Sequence, residues 1–550
     1  MKKFATKSVY VGLCTLVVPV LAFIGTSCTD LSETPHDALT PENAFHTDAE
    51  ILAGVAGIYA TLRAIDDGGG YSGIEEITTD ALIVPTRGSD WFDNGQWLEL
   101  HRQNWTASSA AANNFFNSTW NSTFGAIAKE NLMIDVVAKA GGCDANLANC
   151  TTAKSDTSLA ELRTLRAWHY YMLMNWFGGV PIVTSTEPKP AARNTRVEVF
   201  NFIETELLAS RDKLPTVWPS EFKGRVTQGV ANAILASLYL NAGVFKKDAT
   251  ASSVGFSGTS YNSCSGVTVT GTGDACAQAI AAASAVINSG KYSLATNWAD
   301  NFSLTNKNSP ENIFVVVHSK DQTLGGNWPM RTLHYNQLTT GWGSPWNGFA
   351  TTAEAFSQFT NTDDRRNMWL VGQAYSFENG QPVNDRTNKP LIFTPTIGNA
   401  NAATEGEGVR FNKFPPLPDA PSGNGHPNDF TIFRLAEMYL IKAEAENEAG
   451  SLAAAQTDLD VVHNRHDPAN PVVAADKQSM RDAILRERLL EFSGEGKRRT
   501  DMIRHGKFLS WTEATANGVS STPRDAHFLL FPVPSTQLAS NPLLKQNPGY

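Results

Sequence analysis

The segment 481–508, RDAILRERLLEFSGEGKRRTDMIRHGKF, constrains the fold of this 550-residue chain more than any other stretch. Its apolar residues recur at helical spacing, first at Leu485, Leu489 and Phe492 and then at Met502 and Ile503. Charged residues of both signs alternate between them: Glu487, Arg488, Glu491, Glu495, Arg498, Asp501 and Arg504. Taken alone, this pattern indicates two helices with solvated ion pairs, each worth about 0.2–0.5 kcal/mol.

The order of these charges also carries a resemblance. E-R-x-x-E-x-x-x-E-G-x-R-x-x-D-x-x-R-x-G, from Glu487 to Gly506, resembles the C-terminal signature of the SusD/RagB family of outer-membrane nutrient-binding lipoproteins. Residues 165–183, 434–450 and 531–550 agree with the same family. The chain departs from the family pattern at Arg499 and Thr500, where aromatic residues are frequent, so we expect different packing there.

Composition excludes one class of partner. The formal charge is −10, so the chain offers no overall basic character with which to neutralise nucleic-acid phosphates. An acidic surface also gives no attraction toward anionic polysaccharides, which favours a neutral ligand. The length exceeds the size at which a single core stops growing, so an extended architecture or several subdomains are expected.

The N-terminus has the pattern of a secretory signal. Lys2, Lys3 and Lys7 precede an apolar run that ends in small residues before Cys28. We interpret residues 1–27 as a signal peptide, Cys28 as the lipidated first residue of a bacterial lipoprotein, and residues 28–41 as a polar tether. The alternative is an ordinary secreted protein without a lipid anchor.

Periodicity predicts a mainly α fold. Helices are expected over 42–65, 113–140, 158–177, 195–213, 227–243, 275–289, 429–449, 451–466, 477–492 and 495–506. Two pairs of segments place small residues before a turn, Gly at the turn and an Ala-rich helix after it. They are 236–243 with 277–290, and 443–450 with 451–465. This arrangement is typical of tetratricopeptide pairs, so we predict a tetratricopeptide-like helical repeat scaffold. An unrelated helical bundle with Ala-rich faces is the alternative.

The helical signal fades between 291 and 428, where only 313–319 has the pattern of a strand. We therefore predict a loop-rich, small-strand central block, and an extended segment over 526–550. The resulting division is an N-terminal helical region, 42–290, and a C-terminal region, 291–550. Residues 71–110 show no sustained period and are rich in Trp, Asp, Gly and Asn; we call them the Trp loop.

Four cysteines fall in two close pairs. Cys143 with Cys150, and Cys264 with Cys276, each bracket a short polar loop, and the export signal implies an oxidising compartment. Two local disulfides are the natural interpretation. A metal site is the alternative, which the spacings and the absence of His from both loops disfavour.

Catalytic patterns are sparse. The sequence contains no G-x-S-x-G elbow and no H-E-x-x-H. His463 and His466 are three residues apart at a helix end, where we expect them at the surface. We predict a protein that is not an enzyme and that uses neither a cofactor nor a metal.

Tryptophans supply the best candidate site. Trp91 and Trp97 lie in the Trp loop, whereas Trp328, Trp342 and Trp346 lie in a second irregular window, 325–349. A flat indole matches the C–H face of a sugar, and planar polar groups match its hydroxyl rim. The predicted glycan-binding residues are Arg87, Asp90, Trp91, Asn94, Trp97, Trp328, Asn336, Trp342 and Trp346. The competing interpretation is that these indoles are buried core.

The family resemblance implies a function for this platform. It implies a lipid-anchored protein of the outer-membrane surface that captures an oligosaccharide and delivers it to a TonB-dependent, SusC-like porin. A peptide- or glycopeptide-binding RagB-type protein is the first alternative. A surface glycoside hydrolase, with two facing carboxylates, and a scaffold that binds protein through its repeats are the others.

Overall fold

The computed structural model describes residues 45, 47–66, 68–139, 152–187, 189–248, 254–269, 273–320, 324–339, 344–514 and 517–550. The predicted signal peptide and tether lie outside the described residues, as do Cys28, Cys143, Cys150 and Trp342. Within the described residues, no helix has both the length and the apolar character needed to span a membrane.

The N-terminal part of the described chain is helical. Its helices are α1 (Asp48–Tyr59), α2 (Arg63–Asp66), α3 (Tyr71–Ile77), α4 (Gln96–Arg102), α5 (Asn117–Lys139), α6 (Thr152–Phe177), α7 (Arg196–Arg211), α8 (Gln228–Leu240), α9 (Ala242–Phe245) and α10 (Ala275–Ile287). Thr47 begins α1 with a capping box to Glu50. The second half of α6 is almost entirely buried, with α5 and α7 packed against it.

The C-terminal part alternates between irregular chain and helix. Its helices are α11 (Trp328–Thr332), α12 (Ala353–Phe356), α13 (Leu435–Glu448), α14 (Leu452–His466), α15 (Lys477–Phe492), α16 (Arg498–Arg504) and α17 (Ser535–Ser540). The predicted helix over 429–449 begins too early. Residues 430–434 form a strand instead, because they pair with another strand of the central block.

The strands are short and antiparallel. They are β1 (Thr268–Val269), β2 (Gly273–Asp274), β3 (Asn312–Val316), β4 (Ala350–Thr351), β5 (Trp369–Leu370), β6 (Gly372–Gln373), β7 (Ile392–Phe393), β8 (Val409–Phe411) and β9 (Phe430–Arg434). They pair as β1–β2, β3–β9, β4–β8–β5 and β6–β7. Cys264 and Cys276 form a disulfide bond beside the first of these pairs.

The predicted helical pairs are confirmed. Helix α8 packs against α10, α13 packs against α14, and α10 packs against α13, so the two pairs stack on each other. Gly450 ends the first helix of its pair with a φ of 90°, in the left-handed region that glycine favours. The fold is therefore the mainly α, tetratricopeptide-like scaffold that the sequence predicts, with a loop-rich central block carrying small sheets.

The seven alternating charges named above in the 481–508 segment, from Glu487 to Arg504, are buried, and Glu491 lies at their centre. One carboxylate oxygen accepts from Arg434 (2.5 Å) and from the Trp298 indole (3.1 Å). The other lies 2.8 Å from Nη1 of Arg365 and 3.2 Å from Nε2 of His466. Burial alone would raise the pKa of Glu491, but Arg434 and His466 outweigh burial and hold that pKa well below its usual range.

Further buried pairs extend this ionic network. They are Arg365 with Asp363 and Glu487, Arg434 with Glu311 and Glu495, Lys413 with Glu495, Arg488 with Asp501, and Arg504 with Glu444. The partners come from different elements, so the network joins α13, α15 and α16 to the central block. The interpretation of solvated pairs along a helix is wrong, because the residues are buried and paired across the fold.

Helix α3 connects the Trp loop to the same segment. The Glu76 carboxylate accepts hydrogen bonds from the backbone N–H groups of Gly494 (3.1 Å), Gly496 (2.8 Å) and Lys497 (3.0 Å). Burial nevertheless raises the pKa of Glu76 to about 7. Glu75, its neighbour, accepts from the Trp176 indole of α6 at 2.7 Å. The start of the Trp loop is thus helical and fixed, which the sequence did not predict.

His463 and His466 are buried members of the network, which corrects their expected surface position. Nδ1 of His463 lies 2.8 Å from Glu487, and its Nε2 lies 2.8 Å from the carbonyl oxygen of Asn470. The hydrogen bond to Glu487 raises the pKa of His463 above its ordinary 6.5. The folded state therefore binds this proton more tightly than the unfolded state does.

Replacing His463 by Gln is expected to lower the free energy of unfolding more at about pH 5.5 than at about pH 8.5. A raised histidine pKa contributes stability fully below the unfolded value, and that contribution disappears as the pH rises through the folded value. Urea unfolding at both pH values measures the difference. His527→Gln, outside the network, is the control. An equal loss for His463→Gln at the two pH values would contradict the assignment.

Candidate functional site

Arg87 fixes the Trp loop to the central block from inside the protein. Its side chain is 2% exposed, and its guanidinium donates to the backbone carbonyls of Asn347 (2.9 Å), Gly348 (2.9 Å) and Glu407 (2.8 Å). These bonds join two segments that meet at the candidate site. The prediction that Arg87 contacts a glycan is therefore wrong, because its donors are already used by the protein.

A strained turn follows Arg87. Arg87 and Asp90 exchange two backbone hydrogen bonds, of 2.9 and 3.0 Å, across a tight hairpin. Most of the next five residues have positive φ: Trp91 (62°), Asp93 (38°), Asn94 (58°) and Gly95 (81°). Left-handed backbone at non-glycine residues costs free energy and persists only where the surroundings fix it, as they often do at ligand sites.

Trp91 is held in place by the opposite segment. Its indole Nε1 donates to the carbonyl oxygen of Trp346 at 2.6 Å. A Cβ atom on Gly348 would lie 2.3 Å from the Trp91 ring, so the absence of a side chain at Gly348 allows the indole to lie there. Trp91 and Trp346 remain half-buried.

Four rings form an aromatic cluster: Trp91, Trp97, Trp346 and Phe349. The centroid of Trp91 lies 5.3 Å from that of Trp97, 6.5 Å from that of Trp346 and 5.6 Å from that of Phe349. The guanidinium of Arg331 lies 5.5 Å from the centre of the Trp346 ring, within the range of a cation–π contact. The structure thus brings both tryptophan windows together.

A cavity of about 340 Å³ adjoins this cluster, with Trp97 in its wall. A π-helical turn, Ala112–Phe116, precedes α5 and places Asn114 and Phe115 in the lining. Nδ2 of Asn114 donates to Oε1 of Gln96 at 2.9 Å. The remaining lining residues are Ala64, Gly69, Gly70, Ser118, Thr119, Ser122 and Arg331. The cavity therefore combines aromatic rings with amide and hydroxyl groups.

Asp90 lies in a polar rim beside the cluster. Its carboxylate accepts from the Tyr335 hydroxyl (2.6 Å) and from Arg386 (2.9 Å). The Arg386 guanidinium also lies 4.2 Å from the centre of the Tyr335 ring and donates to Glu405. The His334 imidazole forms a hydrogen bond with the same Glu405. Burial lowers the pKa of His334, so this imidazole is neutral near pH 7. Among the described residues, no group of three or more metal-ligating side chains comes together.

The other predicted residues divide between core and surface. Trp328 is 3% exposed and stacks among Phe414 and Phe430, so its prediction as a ligand contact is wrong. Trp97 is 4% exposed; its ring lines the cavity and is not an open platform. Asn94 is exposed on the strained turn. Asn336 is half-buried, with its amide donating to the carbonyl oxygen of Asn384 at 2.7 Å.

Several site residues were missed by sequence reasoning. Arg331, Tyr335 and Phe349 all lie inside the second tryptophan window, where their proximity to Trp346 in sequence was the available signal. Phe115 and Arg386 had no such signal. Both reach the site through tertiary contacts, from the turn before α5 and from the loop between β6 and β7.

Comparison with known proteins agrees with the fold. A model of the SusD family matches residues 288–550, and a model described as "Starch-binding associating with outer membrane" matches residues 69–240. The chain belongs to the SusD family. SusD-like protein P25 of Formosa agariphila is 23% identical to it, over 97% of this chain and 99% of the relative.

Two further similar proteins carry names that mention a ligand. Starch-binding protein SusD of Bacteroides thetaiotaomicron is 25% identical, over 73% of this chain and 74% of that protein. Surface glycan-binding protein A of Bacteroides thetaiotaomicron, solved in complex with laminarihexaose, superposes with a TM-score of 0.69 at 20% identity. The superposition covers 91% of this chain and 99% of the other, and it shows a shared fold.

Trp328→Phe is expected to lower the free energy of unfolding by about 1–3 kcal/mol and to leave glycan affinity within about twofold of the wild type. The reason is that Trp328 packs in the core, where a smaller ring leaves a void. Thermal unfolding measures the first effect and affinity electrophoresis on starch and laminarin measures the second. A normal melting temperature with greatly reduced glycan retention would place Trp328 back in the ligand site.

Proposed function

We propose that this SusD-family protein is a glycan-binding protein that captures an oligosaccharide at the aromatic cluster and the adjoining cavity. The observation that carries the proposal is the meeting of two half-buried indoles, Trp91 and Trp346, beside an amphipathic cavity. Sugar rings present an apolar C–H face and a hydroxyl rim, so they need aromatic and planar polar groups together. The site supplies both.

The names of similar proteins support a carbohydrate ligand. One relative is called starch-binding, and one structure of similar fold holds laminarihexaose. Among the described residues that line the cavity there is no Asp or Glu, whereas a glycoside hydrolase needs two carboxylates facing its substrate. We therefore propose capture without cleavage.

We also propose that the protein acts at the outer membrane. The family description includes association with the outer membrane, and the sequence places a cysteine directly after a secretory signal. In this proposal Cys28 carries acyl chains, the protein is surface-exposed, and it passes the oligosaccharide to a TonB-dependent, SusC-like porin. Several acyl chains would give more than the two signals that stable anchoring requires.

Trp346→Ala is expected to weaken binding of the retained glycan by about tenfold, or roughly 1.4 kcal/mol. The substitution removes a half-buried ring of the cluster without emptying the core. Isothermal titration with the soluble chain lacking residues 1–28 measures the affinity, after a glycan array has identified the ligand. Val473→Ala, at an exposed position, is the control.

The same preparation separates the alternatives. Unchanged affinity of Trp346→Ala and Trp91→Ala for every retained glycan would refute the aromatic platform. Release of reducing sugar would support the hydrolase, and retention of peptides but not glycans would support the RagB-type alternative.

Cys28→Ala is expected to move the full-length protein from the membrane fraction to the soluble fraction, because the acylated residue is lost. Cell fractionation with immunodetection measures the distribution, and Cys14→Ala, inside the signal peptide, is the matched control. Continued membrane association of Cys28→Ala would refute the lipid anchor. That result would not bear on the glycan site.

A further inference from the structure

Exposure divides the tryptophans sharply. Twelve of them are described, and nine are buried: Trp97, Trp105, Trp120, Trp168, Trp176, Trp298, Trp328, Trp369 and Trp511. The three that stay half-buried are Trp91, Trp346 and Trp218. The first two form the candidate site. Trp218 lies in neither sequence window and belongs to the loop between α7 and α8.

Building on the proposed glycan-binding function, we infer that Trp218 is a second stacking platform for the glycan, separate from the aromatic cluster. We call residues 215–226 the Trp218 loop. Neither Trp218 nor Phe222 of this loop packs into the hydrophobic core formed by the described residues. Two aromatic side chains of a 12-residue loop are therefore not needed for core packing.

The indole of Trp218 is fixed in the structure. Its Nε1 donates to the carbonyl oxygen of Val226 at 2.8 Å. The Arg225 guanidinium lies 3.9 Å from the ring centre, within cation–π distance of that ring. Phe222 lies at 6.3 Å in an edge-to-face arrangement. A ring held in this way loses little conformational entropy when a ligand stacks on it.

Arg225 is itself held by a buried carboxylate. Its Nε and Nη2 donate to the two oxygens of Glu161, at 2.7 and 2.5 Å, and the side chain of Glu161 is fully buried. The Tyr59 hydroxyl donates to Glu161 and accepts from the backbone N–H of Val226 at 2.9 Å. The support of Trp218 thus extends to α1 and α6, which are parts of the rigid scaffold.

The surroundings of the indole suit a sugar. Val217, the preceding residue, is 59% exposed. The exposed residues nearby in sequence include the charged Asp212, Lys213, Glu221 and Lys223. An indole flanked by exposed apolar and charged side chains offers the apolar face and the polar groups that a sugar ring needs.

The two platforms share a support along α1 and α2. Tyr59 takes part in holding Arg225, and Ala64, five residues later, lines the cavity. At about 1.5–2 Å per residue, these positions are roughly 8–10 Å apart along the helical segment. Arg63, between them, donates to the carbonyl oxygen of Val317, whose side chain adjoins Gly224 of the Trp218 loop. Because one polysaccharide molecule carries many sugars, it is expected to engage both platforms at once and to gain affinity by doing so.

Trp218→Ala tests this inference in the mature chain. For whichever of starch and laminarin the protein retains, we expect retention of the polysaccharide in affinity gels to fall about fivefold or more. Affinity for the matching trisaccharide, which occupies one platform, is expected to stay within about twofold. Trp218→Leu keeps an apolar side chain without a ring and should behave like Ala, whereas Trp218→Tyr should restore much of the binding. Val473→Ala, at an exposed position outside the Trp218 loop, is the control, and melting temperatures check the fold of each variant.

The outcomes separate this inference from the proposed function. Wild-type retention of polysaccharide by both Trp218→Ala and Trp218→Leu would overturn it and leave a protein partner as the use of this loop. Equal losses for trisaccharide and polysaccharide would also overturn it, since Trp218 would then act through the first site. If Trp346→Ala changes neither affinity while Trp218→Ala lowers retention, the aromatic cluster fails as a site and the Trp218 platform stands.

Discussion

The buried carboxylate of Glu491 organises the C-terminal half of this protein. A buried carboxylate without partners is costly, and here Arg434, Arg365 and His466 converge on it from three separate segments. Removing any one of these partners would leave charge buried without compensation, so the network requires its segments to assemble together. This requirement explains why acidic and basic residues alternate regularly in residues 481–508.

The same segment positions the candidate site. The backbone between α15 and α16 donates to Glu76, and Thr500 of α16 donates to Glu75, so the start of the Trp loop is fixed to the network. Farther along that loop, Arg87 donates hydrogen bonds to the backbone of the segment that carries Trp346. A charged core, an anchored loop and a pair of half-buried indoles therefore form one continuous chain of contacts. Carbohydrate binding, as proposed, depends on a frame whose residues do not touch the sugar.

Sequence periodicity predicted the helices well, because helical burial repeats locally and shows in the pattern. It failed where pairing is non-local: the residues directly before α13 were included in the predicted helix but form β9 against β3. The two tryptophan windows that it singled out lie together in the structure, but the sequence did not separate the roles of their indoles. Trp346 is half-buried in irregular chain, whereas Trp328 is core and begins the short helix α11. Burial of a single indole depends on rings such as Phe414 and Phe430, which are distant in sequence.

The backbone of the turn at Trp91 carries a consequence for how such proteins diversify. Two buried residues fix its conformation. Arg87 lies beneath the turn, and Gly348 has no side chain that would collide with the Trp91 ring. Phe92 and Asn94 are both exposed on this turn, Phe92 with a φ of −68° and Asn94 with a φ of 58°. Exchange of Phe92 can therefore alter the surface beside the candidate site without a new folding solution, whereas position 94 is limited to residues that tolerate left-handed backbone.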